Sequence, residues 1–221
     1  MRQGERVAVW DLPIRIFHWA LLALVVAAWW SQKSGDLNLH RIVGSTVVGL
    51  LVFRIWWGLF GSSTARFSAF VKGPRAALAY ARTLFMKGEN PALGHNPLGG
   101  WSVVALLVCL VLLVGCGLFA VDVDGLESGP LSSRVTFETG RLASKIHGLA
   151  FNGLEALVVL HLVAIAFYAA FKRQDLVGPM VTGRRRGAGQ GMVGGSPTAL
   201  GVGLILGAAT TAVLLHLSGA F

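Results

Sequence analysis

Charged side chains are scarce in this sequence. They make up 13% of the 221 residues, whereas 54% of the residues are hydrophobic. Ordinary soluble domains carry roughly a quarter charged residues, so the composition excludes that class and favours a membrane protein. Acidic residues are the rarest: 10 Asp and Glu stand against 19 Lys and Arg, a net charge of +9. The basic residues cluster in particular loops, which indicates membrane topology rather than nucleic-acid binding.

Cysteine is nearly absent as well. The chain has two, Cys109 and Cys116, and both lie inside an apolar run. It contains no Cys-x-x-Cys-His motif, which excludes covalent attachment of a c-type haem. We therefore expect both cysteines to act as small core side chains.

Five apolar stretches are long enough to cross a bilayer as helices, which takes about 20 residues. They predict an all-α integral membrane protein, a four-helix transmembrane bundle with a fifth C-terminal transmembrane helix. We treat the first stretch as a retained span rather than a signal peptide, because no clear cleavage site follows it. A basic amphipathic stretch at 74–85 predicts a helix on the membrane surface. The five predicted spans are 14–30, 40–60, 101–121, 142–171 and 200–217.

The loops predict the orientation, since cytoplasmic loops are enriched in Lys and Arg. The N-terminus, the 61–99 connection and the 171–196 linker are basic, which places the N-terminus in the cytoplasm and the C-terminus in the periplasm of a bacterial inner membrane. We expect three parts: a membrane domain at 1–183, a flexible Arg- and Gly-rich cytoplasmic linker at 184–196, and the C-terminal helix at 197–221.

Four histidines lie at two predicted depths. His147 and His161 are fourteen residues apart in the fourth span, a separation of two heptads that keeps both rings on nearly the same face, about 21 Å apart along the axis. His40 starts the second span at the periplasmic side, and His18 lies near the cytoplasmic start of the first. Depth therefore pairs His40 with His147 and His18 with His161.

Two imidazoles at each depth favour haem over zinc. A structural zinc ion takes about four protein ligands, and no Cys, Asp or Glu lies at ligand spacing nearby. A porphyrin supplies four nitrogens and needs only axial ligands, so the pattern predicts two haems b, each with two histidine ligands. Filled axial positions favour electron transfer over oxygen chemistry, and no residue is predicted to be catalytic.

Four cations are candidates for binding haem propionates: Arg15 and Arg54 at the cytoplasmic haem, Arg41 and Lys145 at the periplasmic one. The alternative for Arg15, Arg41 and Lys145 is contact with lipid phosphate. Arg54 lies well within a span, where a cation is costly, so we expect it to be buried.

Small and unmatched residues complete the pattern. His95 lies in Gly-His-Asn-Pro, a loop motif just before a helix, and His216 has no counterpart at its depth beyond the pair already matched. We interpret both as interfacial hydrogen-bonding residues rather than ligands. Helix glycines leave room for a flat macrocycle or for a neighbouring helix. The glycines concerned are Gly44, Gly49, Gly148 and Gly153.

Several ordered motifs occur along the chain. They are Val-Trp-Asp-Leu-Pro-Ile-Arg-Ile-Phe-His-Trp at 9–19, His-Arg-Ile-Val-Gly at 40–44, Phe-Arg-Ile-Trp-Trp-Gly at 53–58 and Gly-His-Asn-Pro-Leu-Gly-Gly-Trp at 94–101. With the histidine pair of the fourth span, they resemble the bacterial cytochrome b561 family, which includes the b-type cytochrome subunits of nickel-iron hydrogenases. The resemblance covers roughly residues 7–183. It implies a four-helix core with two b-type haems, electron exchange with a quinone pool, and the ligands His18, His40, His147 and His161.

Three functions are compatible with these residues. The first is a dihaem cytochrome that transfers electrons between membrane quinone or quinol and a redox partner, either a c-type cytochrome or a dehydrogenase or hydrogenase subunit. The second is a self-sufficient quinone-linked oxidoreductase of the superoxide or transmembrane reductase type, and the third is a haem-free membrane anchor. Glu155, at membrane depth, is either a proton-linked group beside a quinone pocket or a neutral hydrogen-bonding acid inside the bundle.

Overall fold

Five helices in the described part of the chain are long and apolar enough to cross a membrane. The computed structural model describes residues 6–86, 93–124, 128–186 and 190–219. All five predicted spans are confirmed, and the chain is an all-α integral membrane protein. The helices are α1 (Leu12–Lys33), α2 (Leu37–Phe60), α5 (Pro97–Phe119), α6 (Phe137–Ala170) and α8 (Pro197–Leu217).

Capping side chains explain why these helices begin before the apolar stretches do. In each case a side-chain oxygen just ahead of the helix accepts the backbone N–H three residues later, at 2.8 to 3.3 Å. Such a bond satisfies one of the free N–H groups of the first turn and stabilises the helix by about 1 kcal/mol. The capping residues are Asp11, Asp36, Asn96, Thr136 and Ser196.

In the described residues, three short α-helices and a 3₁₀-helix at Ser132–Arg134 lie between the spans. α3 (Phe67–Phe70) and α4 (Pro74–Arg82) follow α2, and α7 (Val177–Thr182) follows α6. α4 corresponds to the predicted surface helix, although it ends at Arg82 rather than at residue 85. Its Leu78 side chain is exposed, as expected for a helix whose apolar side faces lipid. α7 was not predicted, because six residues are too few for a periodic pattern.

A two-stranded antiparallel sheet joins the N-terminal segment to the basic linker. Strand β1 (Arg6–Ala8) pairs with β2 (Arg184–Arg186), with Val7 opposite Arg185. Met192 N–H extends the contact by donating to Ala8 O at 2.8 Å. The expectation of a flexible linker is therefore wrong at 184–186, where the free backbone groups of β1 supply hydrogen-bond partners. Residues 187–189 of that linker lie outside the described part.

The chain divides into two compact units. The first comprises Met1–Ile16, Ile55–Leu106 and Leu157–Leu200, and the second comprises Phe17–Arg54, Leu107–Ala156 and Gly201–Phe221. In the first unit the Trp57 indole, 2% exposed, donates a hydrogen bond to Asp11 Oδ2 at 2.8 Å. Because Asp11 also caps α1, this buried carboxylate is satisfied on both oxygens.

In the second unit, α8 packs against α2 through glycine. A Cβ atom at Gly49 would overlap Thr211 Oγ1 and lie 2.5 Å from Gly207 O, and one at Gly207 would lie 2.8 Å from Gly49 O. Close approach through small residues is how helices associate in a bilayer, where lipid removes most of the hydrophobic drive. Gly49 therefore serves helix packing, the second of the two roles expected for the helix glycines.

We predict that Gly49→Ala destabilises the packing of α8 on α2. Overpacking of this kind typically costs about 1–3 kcal/mol, so the thermal midpoint in detergent, followed by near-ultraviolet circular dichroism, should fall by several degrees. Gly201→Ala is the matched control, since a Cβ atom there meets nothing within 4 Å. Equal midpoints for the two variants would contradict the packing.

Candidate functional site

His40 and His147 come together in the second unit. His40 lies in the first turn of α2, and His147 lies in the first third of α6. Their ring centroids are 6.0 Å apart, and the ring planes are nearly perpendicular, at 82°. Two residues more than a hundred positions apart thus form a facing imidazole pair.

Backbone carbonyls hold both rings in one tautomer. His40 Nδ1 is 2.8 Å from Ala28 O of α1, and His147 Nδ1 is 2.8 Å from Leu113 O of α5. A carbonyl oxygen can only accept, so each Nδ1 carries the proton and donates it. In a neutral imidazole this leaves the Nε2 lone pair available, which is how metal-binding histidines are commonly prepared.

The two histidines line a cavity of about 330 Å³, also within the second unit. Much of its wall is apolar, with Val48 from α2 and Val114 from α5. Gly44 lies in the wall, and a Cβ atom there would meet nothing within 4 Å. The buried hydroxyl of Ser45, also in the wall, has no hydrogen-bond partner among the described residues. The cavity therefore has open space and an unsatisfied polar group beside the imidazole pair.

The two imidazole nitrogens fit a metal ion whose remaining ligands come from a cofactor rather than from the protein. Two metal–nitrogen bonds of about 2 Å each, plus the half-width of two rings, place ring centres roughly 6 Å apart. Within the described residues no three His, Cys, Asp or Glu side chains gather into a group that could hold a metal ion. Two axial imidazoles beside an apolar slot suit a haem iron, whose porphyrin supplies the four equatorial nitrogens.

Two arginines supply positive charge to this cavity. Arg41 and Arg141 both line it, and Arg141 Nη1 donates to Val121 O at 3.0 Å. Lys145, the cation predicted from the sequence, is exposed and does not line the cavity. Arg141 was missed, although it precedes His147 by less than two turns on the same helix. That spacing is the signal that could have found it.

Glycines contribute differently from the sequence expectation. Gly117 of α5 was not predicted. A Cβ atom there would lie 2.9 Å from His147 Nδ1, so the absence of a side chain at this position leaves room for the imidazole ring. Gly153 faces Cys109 Sγ at 3.7 Å. Gly148 is exposed on the outside of α6. Of the four glycines expected to flank a macrocycle, Gly44 alone lines the cavity among the described residues.

The second predicted pair is divided between the units. His18 belongs to the second unit, where its ring meets the edge of Trp19 with centroids 5.0 Å apart. His161 belongs to the first unit and is half-buried on α6. Their pairing stays a prediction. Of the associated cations, Arg54 is 4% exposed, so the burial expected for it is observed, while the Arg15 guanidinium donates to Val181 O of α7.

His95 and His216, which were not predicted to be ligands, lie in different parts of the structure. His95 packs between Trp10 and Phe70, with ring centroids 4.7 and 4.8 Å away. It therefore takes part in an aromatic cluster of the first unit. His216 is exposed in the last turn of α8, consistent with an interfacial residue.

Glu155 lies on the outside of α6. Its side chain is exposed, as is that of Asn152 one turn before it, so the structure does not support an acid packed inside the bundle. A charged carboxylate at the centre of a bilayer costs roughly 2.5–3.5 kcal/mol. The described part of the chain gives Glu155 no hydrogen-bond partner, so any partner must come from outside it.

Comparisons with known proteins identify the family to which this chain belongs. The model of the prokaryotic cytochrome b561 family matches residues 9–183. A similar protein, named "Probable Ni/Fe-hydrogenase B-type cytochrome subunit", comes from Azotobacter chroococcum mcd 1; it is 23% identical over 217 residues, which cover 84% of this chain and 90% of that relative. No solved structure matches the chain. The chain belongs to the prokaryotic cytochrome b561 family and is a multi-pass bacterial membrane cytochrome that carries haem b and transfers electrons.

Proposed function

We propose that this cytochrome carries two haems b and moves electrons across the membrane between the quinone pool and a redox partner. The observation that supports this most directly is the His40–His147 pair, with ring centroids 6.0 Å apart and both Nδ1 atoms bonded to carbonyls. We assign the other haem to His18 and His161. The family match at 9–183 supports placing the dihaem domain within residues 1–183.

The protein's part in this function is to hold and shield the cofactor. Haem iron, when bound, gains and loses one electron. The carbonyl bonds fix each imidazole plane, and His40 and His147 would together hold the iron and leave no position on it for oxygen. The apolar wall from Val48 and Val114 limits the access of water. Since His147 and His161 are two heptads apart on α6, the two cofactors would lie at separate depths and electrons would cross the bilayer between them.

Charge supports the proposed orientation. The first unit carries Arg184, Arg185 and Arg186 on β2 and the basic helix α4, a pattern typical of the cytoplasmic side. With a cytoplasmic N-terminus, α2 begins at the periplasmic side, so the cavity lined by His40 in the first turn of α2 would lie toward the periplasm. With five spans, the N-terminus is cytoplasmic and the C-terminus periplasmic.

The partner is proposed from the relative. The relative from Azotobacter chroococcum is named as a probable B-type cytochrome subunit of a Ni/Fe-hydrogenase. By analogy this chain would pass electrons to quinone from a hydrogenase or other dehydrogenase module, or exchange them with a c-type cytochrome. The chemistry of a primary substrate would then reside in that partner.

We predict that vesicles containing the purified protein carry electrons inward from an added short-chain quinol to a trapped, membrane-impermeant oxidant. The rate should exceed that of protein-free vesicles at least tenfold, because the two haems provide a path through hydrocarbon. The absorbance of the trapped oxidant measures the rate of electron transfer. Haems that are reduced only by dithionite, with no flux to the interior, would contradict the function.

The pairing of the histidines has a direct test. We predict that His40→Ala and His147→Ala each remove the same haem, because removing either axial ligand weakens one site, while His18→Ala and His161→Ala each remove the other. Redox titration followed by visible absorbance separates the two haems by midpoint potential. His95→Ala, in the aromatic cluster, should retain both. Loss of one and the same haem from His18→Ala and His147→Ala would show the pairing to be wrong.

Arg141 should influence the midpoint potential of the haem near His147 more than Lys145 does, since Arg141 lines the cavity and Lys145 does not. Removing a nearby positive charge favours the oxidised cofactor, so Arg141→Gln should lower that haem's midpoint potential. A charge interaction of about 1.4 kcal/mol corresponds to about 59 mV for one electron. Lys145→Gln is the control and should shift it little. The reverse order of effects would restore Lys145 as the relevant cation.

A further inference from the structure

Two polar side chains lie on the lipid-facing side of α6. Asn152 and Glu155 are both exposed and lie three residues apart, so they are neighbours on the helix surface. Both belong to the second unit. We call this surface the outer face of α6. Its exposed members between residues 145 and 156 are Lys145, Gly148, Leu149, Asn152, Glu155 and Ala156.

The depth of these side chains makes their exposure unusual. The apolar part of α6 runs from about residue 142 to its end at Ala170, so Asn152 and Glu155 lie close to its midpoint. Hydrocarbon offers neither donors nor acceptors. No hydrogen bond to either side chain is present among the described residues. An amide and a carboxyl at this depth therefore need a partner from outside the described part of the chain.

The shape of the outer face admits a second helix. Gly148 and Ala156 lie one turn before and one turn after Asn152 on the same side. A Cβ atom at Gly148 would meet nothing within 4 Å, so none of the described residues fills that space. Small residues around a polar one let two backbones approach closely enough for side-chain hydrogen bonds in a membrane.

We propose that the occupant is a second copy of this chain, which packs its own α6 against this face about a two-fold axis along the membrane normal. Each copy carries an amide donor at Asn152 and a carboxyl acceptor at Glu155, one turn apart. A two-fold interface repeats every contact, so each Asn152 amide donates to the partner copy's carboxyl and both pairs are satisfied together.

Self-complementarity favours a second copy over other occupants. Two copies insert with the same orientation, which brings Asn152 and Glu155 of both to the same depth without further adjustment. A different transmembrane helix would have to carry a matching donor and acceptor at that level. A quinone could bond to Glu155 but would not require the adjacent amide or the small residues around it.

Single-molecule photobleaching of full-length protein, labelled once per chain in liposomes at increasing dilution, tests this dimer. The wild type should bleach in two steps at densities where Glu155→Leu and Asn152→Leu bleach in one, an apparent dissociation constant raised at least tenfold. Glu155→Gln keeps a hydrogen-bonding side chain and should dimerise like the wild type. Leu112→Ala, an exposed position on α5, is the matched control and should also dimerise.

The haem spectrum of each variant reports whether it is folded. Should a leucine variant lose that spectrum, Asn152→Ala, which deletes the amide with less added bulk, takes its place and is expected to be monomeric. A monomeric wild type would overturn the proposal. Leucine variants that stay dimeric would also overturn it. If those dimeric variants bound quinone less tightly than the wild type, the outer face would be identified as a quinone site instead.

Discussion

The hydrogen bond from a histidine Nδ1 to a backbone carbonyl of another helix is the constraint on which the site depends. His40 on α2 is held by α1, and His147 on α6 is held by α5. A helix carbonyl already accepts its own i+4 N–H, but its second lone pair remains available to an outside donor. Each bond therefore fixes a tautomer and a ring orientation without disturbing the helix that accepts it.

These bonds tie ligand geometry to helix packing. The Gly117 backbone permits the His147 ring to approach α5, because a single Cβ atom would lie 2.9 Å from its Nδ1. Gly49 and Gly207 let α8 press against α2, the helix that presents His40. In a bilayer such close packing supplies much of the stability that apolar burial supplies in water. Glycines that do not themselves bind the cofactor thus determine how tightly the helices that carry His40 and His147 are packed.

Much of the architecture could be predicted from the sequence, because membrane insertion is governed by quantities that a sequence displays. The lengths of the apolar stretches predicted all five spans, and depth along them predicted that His40 and His147 lie at one level. The caps Asp11, Asp36 and Asn96 were equally visible, and they place the helix starts more accurately than hydropathy does.

Rotation about the helix axis could not be predicted in the same way. In a soluble helix the polar side faces water, but a transmembrane helix is apolar toward both lipid and neighbours, so its sequence contains little information on which side faces the bundle. For this reason Lys145 was named as a propionate-binding cation and Arg141 was missed, and the exposure of Glu155 was not foreseen when it was interpreted as a group either beside a quinone pocket or inside the bundle. The β1–β2 pairing was missed for another reason, since three-residue strands have no detectable pattern.

The haem content of the purified, fully loaded wild-type chain tests the central claim most directly. Pyridine haemochrome absorbance, divided by polypeptide from amino-acid analysis, gives the ratio, and the visible spectrum gives the coordination state. Two low-spin, six-coordinate haems b per chain are expected, one for each pair of imidazoles. A ratio of one or less, or a five-coordinate spectrum, would contradict two bis-histidine sites.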